Sequence, residues 1–112
     1  MTPMSDAVRL TAYMGEAVRH EGLPLYEAIV LAAREAGLAG ATVLRGPMGY
    51  GHRHVLHTAN ILRLSADMPM VVEIVDTRDK IEAFLPRISA MMPAGLVTCA
   101  PVTIVRYGPA EA

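Results

Sequence analysis

The sequence predicts an α+β domain: a four-stranded antiparallel sheet with two helices on one of its faces. Three observations predict it. Residues 8–14 alternate apolar and polar side chains, the period of a half-buried strand. The segments 24–36 and 76–92 carry apolar residues at helical spacing. Strand-like and helix-like segments also alternate in an order that one sheet can satisfy.

The first strand is read from Val8, Leu10, Ala12 and Met14, which point one way while Arg9, Thr11 and Tyr13 point the other. Gly15 to Leu23 is a polar connection, with Gly15 and Gly22 as breakers. Pro24 suits a first helical turn, where its missing N–H costs nothing. Leu25, Ala28, Ile29, Ala32 and Ala36 then form a core-facing stripe, and Gly37 and Gly40 end the helix. Ala41 to Arg45 is a second short strand, and Leu56 to Ser65 is compatible with a further one, interrupted by Asp67 and Pro69. Met70 to Val75 is nearly all apolar, which predicts a central strand buried on both faces.

Asp76 and Thr77 can cap the second helix, and Asp79 suits its positive end. Ile81, Phe84, Leu85, Ile88, Met91 and Met92 make its apolar face. Pro86 lies inside this pattern and removes the hydrogen bond to Glu82, so a kink is expected there. Pro93 and Gly95 end the helix. Leu96 to Tyr107 is the last strand region, and Pro101 within it argues for a sheet edge. Two right-handed crossovers joined by a long hairpin give the ferredoxin-like βαββαβ arrangement, with a long loop between the second and third strands. On this reading residues 1–7 are a flexible N-terminus, 8–107 the domain and 108–112 a loose tail.

Composition narrows the function. A chain of 112 residues is one domain, and 53% hydrophobic with 19% charged is rich for a small monomer. Part of that apolar surface is therefore assigned to a subunit interface. A net charge of −1 gives no electrostatic footprint for nucleic acid. The lone Cys99 excludes an intramolecular disulfide and a multi-cysteine metal site, and its strand context predicts a buried, inert thiol. The start of the chain has neither a basic region nor an apolar block like a signal peptide. No apolar run approaches the roughly 18 residues of a membrane span. The expectation is a soluble cytoplasmic protein with no membrane insertion.

The run Gly46-Pro47-Met48-Gly49-Tyr50-Gly51-His52-Arg53-His54-Val55-Leu56-His57 stands apart from its apolar flanks. It concentrates glycine and imidazole between two strand-like segments. His52 and His54 share a face of an extended segment and His57 falls on the other. Two imidazoles can hold a divalent metal if a third ligand comes from elsewhere, but no Cys, Asp or Glu lies close in sequence. The plainer reading is a polar loop. Imidazole also offers a pH response near neutrality.

Several of these segments resemble a family of PII-like proteins known as domain of unknown function 190. The matching residues are Gly15-Glu16, Arg19-His20-Glu21-Gly22, Pro24 to Ile29, Ala36 to Gly46, Gly49-Tyr50-Gly51, Met70 to Asp76 and Val102 to Tyr107. The resemblance implies a ferredoxin-like fold and a homotrimer with its sheets facing a central axis. In the wider PII superfamily, signalling proteins bind adenine nucleotides in clefts between subunits and move a long loop after the second strand. Gly49-Tyr50-Gly51 resembles the base of that loop. Two segments depart from the PII pattern. Met92-Pro93-Ala94-Gly95-Leu96 lacks the Gly/Lys-rich phosphate-binding turn, and His52-Arg53 replaces an Arg-Gln pair that helps hold metal and 2-oxoglutarate. Binding of 2-oxoglutarate is therefore not expected.

Anion contacts are expected from a few residues. Arg19 and His20 lie just before the first helix, whose N-terminus carries positive partial charge. The alternative for Arg19 is an ion pair with Glu21 across a subunit boundary. Arg45 stands at the foot of the loop and Arg106 near the end of the last strand. In a trimer, the loop of one subunit and the last strand of its neighbour would converge. Gly49, Tyr50, Gly51, His52 and Arg53 complete the proposed ligand-binding set. Glu73 interrupts the apolar third strand and is expected to pair with Arg9 or Arg63. No set of residues assembles into a nucleophile with its base, so an enzyme is not expected. The reading is a trimeric regulatory protein sensing a small anionic metabolite, an adenine nucleotide being the foremost example. Its loop 46–60 would contact a membrane transporter or an enzyme. The alternative is a divalent-metal-binding protein, like the related CutA proteins, using His52, His54 and His57.

Overall fold

Strand β1, Ser5–Gly15, lies inside a four-stranded sheet, antiparallel on one side to β7, Pro69–Asp76, and on the other to β8, Leu96–Ile104. β4, Ala41–Arg45, pairs with the far side of β7, so the order is β4-β7-β1-β8. This computed structural model describes residues 4–51, 55–58 and 67–109, and of His57 only the backbone. Two pairs of two-residue strands lie in the connections: β2, Arg19–His20, pairs with β3, Leu23–Pro24, and β5, Met48–Gly49, pairs with β6, His57–Thr58. Two helices, α1 (Leu25–Glu35) and α2 (Arg78–Met91), complete the ferredoxin-like fold.

The alternation read from β1 holds: Val8, Leu10, Ala12 and Met14 are buried beneath the helices. The strand begins at Ser5, ahead of the expected start, because it pairs with β8 as far as Ile104. β7 is central, as expected, but it is not buried on both faces. Its burial alternates, with Met70, Val72 and Ile74 in the core and Val71, Glu73 and Val75 half-buried on the other side. The helices cover only one face of the sheet, which explains the difference.

In α1, Leu25, Ala28, Ile29, Ala32 and Ala33 are buried. Ala36 is not part of this stripe: it is the exposed C-cap. The helix stops there because Gly37, at φ +78, reverses the chain. Leu38 N–H donates to Ala33 O at 3.0 Å and Gly37 N–H to Arg34 O at 3.1 Å, the paired bonds of a Schellman ending. Pro24 is the residue before the helix, extended at φ −55 and ψ 136, rather than a residue of its first turn. α2 is capped by Thr77, whose hydroxyl accepts from Lys80 N–H at 3.4 Å. It buries Ile81, Phe84, Ile88 and Met91 and runs through Pro86.

β8 occupies a sheet edge, where Pro101 lacks an N–H at no cost to an inner ladder. Cys99 was expected to be buried, but it is exposed. Its strand is the outermost one, and Cys99 lies beside Leu10 in register without a helix over it.

Candidate functional site

The end of the sheet where β1 finishes brings together the two feet of the loop 46–68. Gly15 ends the strand and Glu16 N–H donates to Met68 O at 2.8 Å. Ala17 N–H donates to Asp67 Oδ1 at 2.8 Å. Gly46 N–H donates to Pro69 O at 2.7 Å. The chain then enters the hairpin β2–β3, where Glu21 adopts φ +49 so that the two-residue turn can close. The polar connection read from the sequence therefore contains a hairpin. Leu25 N–H, the first of α1, donates to Val18 O at 2.8 Å, so the helix start is tied to the same segment.

Arg45 leaves β4 at this end, and its Nε and Nη2 both donate to Glu16 Oε1 at 3.2 Å. The guanidinium is about half exposed and the Glu16 side chain 28% exposed. The pair is solvent-screened and contributes little to stability. Arg19 Nη2 donates to Gly22 O at 3.0 Å, which turns its head toward the hairpin turn. The side chain beside Glu21 is His20, with Nε2 3.9 Å from Oε2, rather than Arg19 of the same chain. Gly49 packs over Pro69, where an added Cβ would stand 2.9 Å from Cγ. Tyr50 and Gly51 are exposed. His52, Arg53 and His54 lie outside the described residues, as does the His57 side chain, so the alternative metal set falls there too. Among the described residues no group of three metal-ligating side chains assembles.

Arg106 is at the opposite end of the sheet. β8 ends at Ile104, in register with Ser5, whereas Arg45 aligns through Met70 with Met14. Nine residues of strand separate these register positions, about 30 Å. One chain alone does not join Arg45 to Arg106. Near Arg106 the structure places an open cleft of about 360 Å³ lined by Ser5, Leu38, Thr77, Lys80 and Tyr107. Tyr107 donates its hydroxyl to Ala39 O at 2.7 Å. Lys80 and Tyr107 were not singled out from the sequence. Only the sheet order, which brings the start of β1 beside the end of β8, makes them neighbours.

Glu73 does not meet Arg9: its register partners are Thr11 on β1 and Thr42 on β4. Among the described residues it forms no ion pair. Its other expected partner, Arg63, lies outside them. Among the described residues no helix is long and apolar enough to cross a membrane.

A family model, DUF190, described as "Uncharacterized ACR", matches residues 7–104. The chain belongs to the DUF190 family. It is 35% identical over 96 residues to a UPF0166 protein of Aquifex aeolicus, covering 86% of this chain and 90% of that one. It is 36% identical over 85 residues to a UPF0166 protein of Methanocaldococcus jannaschii, covering 76% and 78%. In three dimensions this DUF190 chain shares the fold of PII-like proteins. It superposes on a putative PII-like signaling protein of Thermus thermophilus with a TM-score of 0.67 at 15% identity, covering 93% and 94% of the chains. It superposes on CPII of Thiomonas intermedia, bound to ADP and bicarbonate, with a TM-score of 0.61 at 17% identity, covering 92% of each. CutA of Synechococcus elongatus shares the fold as well, with a TM-score of 0.59 at 15% identity and coverage of 93% and 84%.

Proposed function

We propose that this DUF190 chain is the subunit of a PII-like regulatory trimer that senses a small anionic metabolite. Adenine nucleotides are the foremost ligand class. The ligand sits between subunits, where Arg45 and Arg19 of one copy meet Arg106 of its neighbour. The loop 46–60 changes conformation on binding and presents that state to a partner, a membrane transporter or an enzyme.

The observation that carries this reading is the Arg45 guanidinium at the foot of the loop. It is half exposed, held among the described residues by the Glu16 carboxylate alone, and four residues from Gly49. Arginine offers a planar fork suited to phosphate, and a screened ion pair gives way to a doubly charged anion. The fold supports the nucleotide class, because CPII, which shares it, has a structure bound to ADP and bicarbonate. A trimer supplies what one chain lacks, the approach of Arg106 to Arg45.

Calorimetric titration of the purified protein with ATP, ADP, AMP and cyclic nucleotides tests the reading. Saturable heat with at least one is expected. No heat with any of them at millimolar concentration refutes the nucleotide class.

A further inference from the structure

The chain does not stop at the sheet edge where β8 ends. Ile104 closes the ladder in register with Ser5, and the backbone bends away at Val105. At Tyr107 the side-chain hydroxyl donates to Ala39 O at 2.7 Å. Ala39 lies just before β4, which in the order β4-β7-β1-β8 is the opposite edge of the sheet. Residues 105–107, with the Tyr107 ring, thus form a strap across the end of the sheet, over a width of about 14 Å. The strap passes Ser5 and Asp76, which line the same cleft as Ile104 and Tyr107.

Both ends of this strap are fixed. Ile104 is held by the β1–β8 ladder. The acceptor at the other end is itself immobilised, because the buried Asp76 carboxylate accepts from Ala39 N–H at 2.9 Å. Arg106 lies between the two anchors. It is exposed, and among the described residues its guanidinium makes no ion pair. A short segment fixed at both ends has few conformations left. The entropy of ordering the Arg106 backbone is then lost on folding rather than on binding. With the far end released, Arg106 joins a free C-terminal tail and the loss falls on the binding step.

We infer that Tyr107 is a positioning residue, whose bond to Ala39 O sets where Arg106 is presented. The inference rests on the reading that Arg106 of one copy completes the ligand site of its neighbour. It adds a residue that acts through Arg106 rather than on the ligand. The bond is neutral and partly exposed, so its loss raises the released fraction of the strap about two- to fivefold.

Tyr107→Phe keeps the ring and deletes the hydroxyl, and far-UV circular dichroism establishes that the variant folds. The first measurement needs no ligand. Limited trypsin digestion cuts after Arg106 when the strap is released, and mass spectrometry follows the product that ends there. Cleavage about two- to fivefold faster than in the wild type is expected. An unchanged rate overturns the strap.

The second measurement is calorimetric titration with ADP of the wild type, Tyr107→Phe, Arg106→Ala and the double variant. Arg106→Ala is expected to weaken binding about tenfold or more. Tyr107→Phe is expected to weaken it about two- to fivefold, with no further effect once Arg106 is absent. A Tyr107→Phe effect that is equal in both backgrounds, or absent from both, overturns the positioning role while Arg106 keeps its place in the site. An Arg106→Ala variant that binds ADP as the wild type does overturns that place, and the positioning role with it. A wild type that takes up no ADP overturns the nucleotide reading and the positioning role together, and faster cleavage then marks a structural anchor.

Discussion

Asp76 and Tyr107 hold one residue, Ala39, by its two backbone groups. Asp76 Oδ2 accepts from Ala39 N–H at 2.9 Å, and the Tyr107 hydroxyl donates to Ala39 O at 2.7 Å. Asp76 Oδ1 also accepts from Thr77 N–H at 2.7 Å. A single buried carboxylate thus joins the turn after α1 to the start of α2, and Tyr107, three residues beyond β8, closes over that turn. Asp76→Ala removes two charge-assisted hydrogen bonds from a buried site, so a loss of about 2–4 kcal/mol is expected. Tyr107→Phe removes the partly exposed bond to Ala39 O, itself worth about 0.5–1 kcal/mol. Urea unfolding of both variants checks the order. A Tyr107→Phe cost equal to that of Asp76→Ala contradicts it.

Gly15 is packed against the carboxylate that receives Ala17 N–H. A Cβ there collides with Asp67. Gly15→Ala must therefore displace Asp67 from the foot of the loop, at an expected cost of about 1–3 kcal/mol. In the background of Asp67→Ala the obstruction is gone, and the same substitution should cost much less. The double-mutant cycle reads the coupling directly, and additive effects would rule out the contact as the cause.

The Glu16–Arg45 pair contributes little to stability, since both groups are solvent-exposed to a substantial degree. Its importance under the proposed function is competition. Glu16→Gln frees the guanidinium and should tighten binding of ADP severalfold, whereas Arg45→Ala should weaken it about tenfold or more. Calorimetry on the folded variants separates this from a positioning role. If Glu16 instead orients Arg45 for the ligand, Glu16→Gln weakens binding.

The strand pattern of β1 and the helical stripes were legible because burial has a local period, and Val8, Leu10, Ala12 and Met14 all obey it. Ala36 fitted the helical period as well, yet the helix ends one residue earlier, where Gly37 takes a positive φ. Ala33 is buried in the stripe instead. The hairpin at 19–24 escaped because His20-Glu21-Gly22-Leu23 carries a weaker turn signal than Asn-Gly or Asp-Gly. Pro101 announced an edge strand, but exposure of Cys99 follows only once the helices are known to leave that edge uncovered. Contacts set by strand order lie beyond any local pattern. Arg45 and Glu16 are 29 residues apart, and Glu73 faces Thr11 rather than Arg9 because of the β1–β7 register.

Pro86 offers a test of the fold's remaining inefficiency. It lies within α2 on an exposed position, between the buried Phe84 and Ile88. Its ring has no N–H for the Glu82 carbonyl one turn back, and a proline inside a helix costs about 3 kcal/mol relative to alanine. Part of that cost is offset because proline also restricts the unfolded chain, by about 1 kcal/mol or less. The packed face of α2 does not involve the ring, so Pro86→Ala leaves Ile81, Phe84, Ile88 and Met91 in place. A net gain of roughly 2–3 kcal/mol is expected from these two opposing effects. It should appear as a higher urea midpoint at unchanged slope. A variant less stable than the wild type would mean that the proline ring makes a contact worth more than the backbone hydrogen bond it removes.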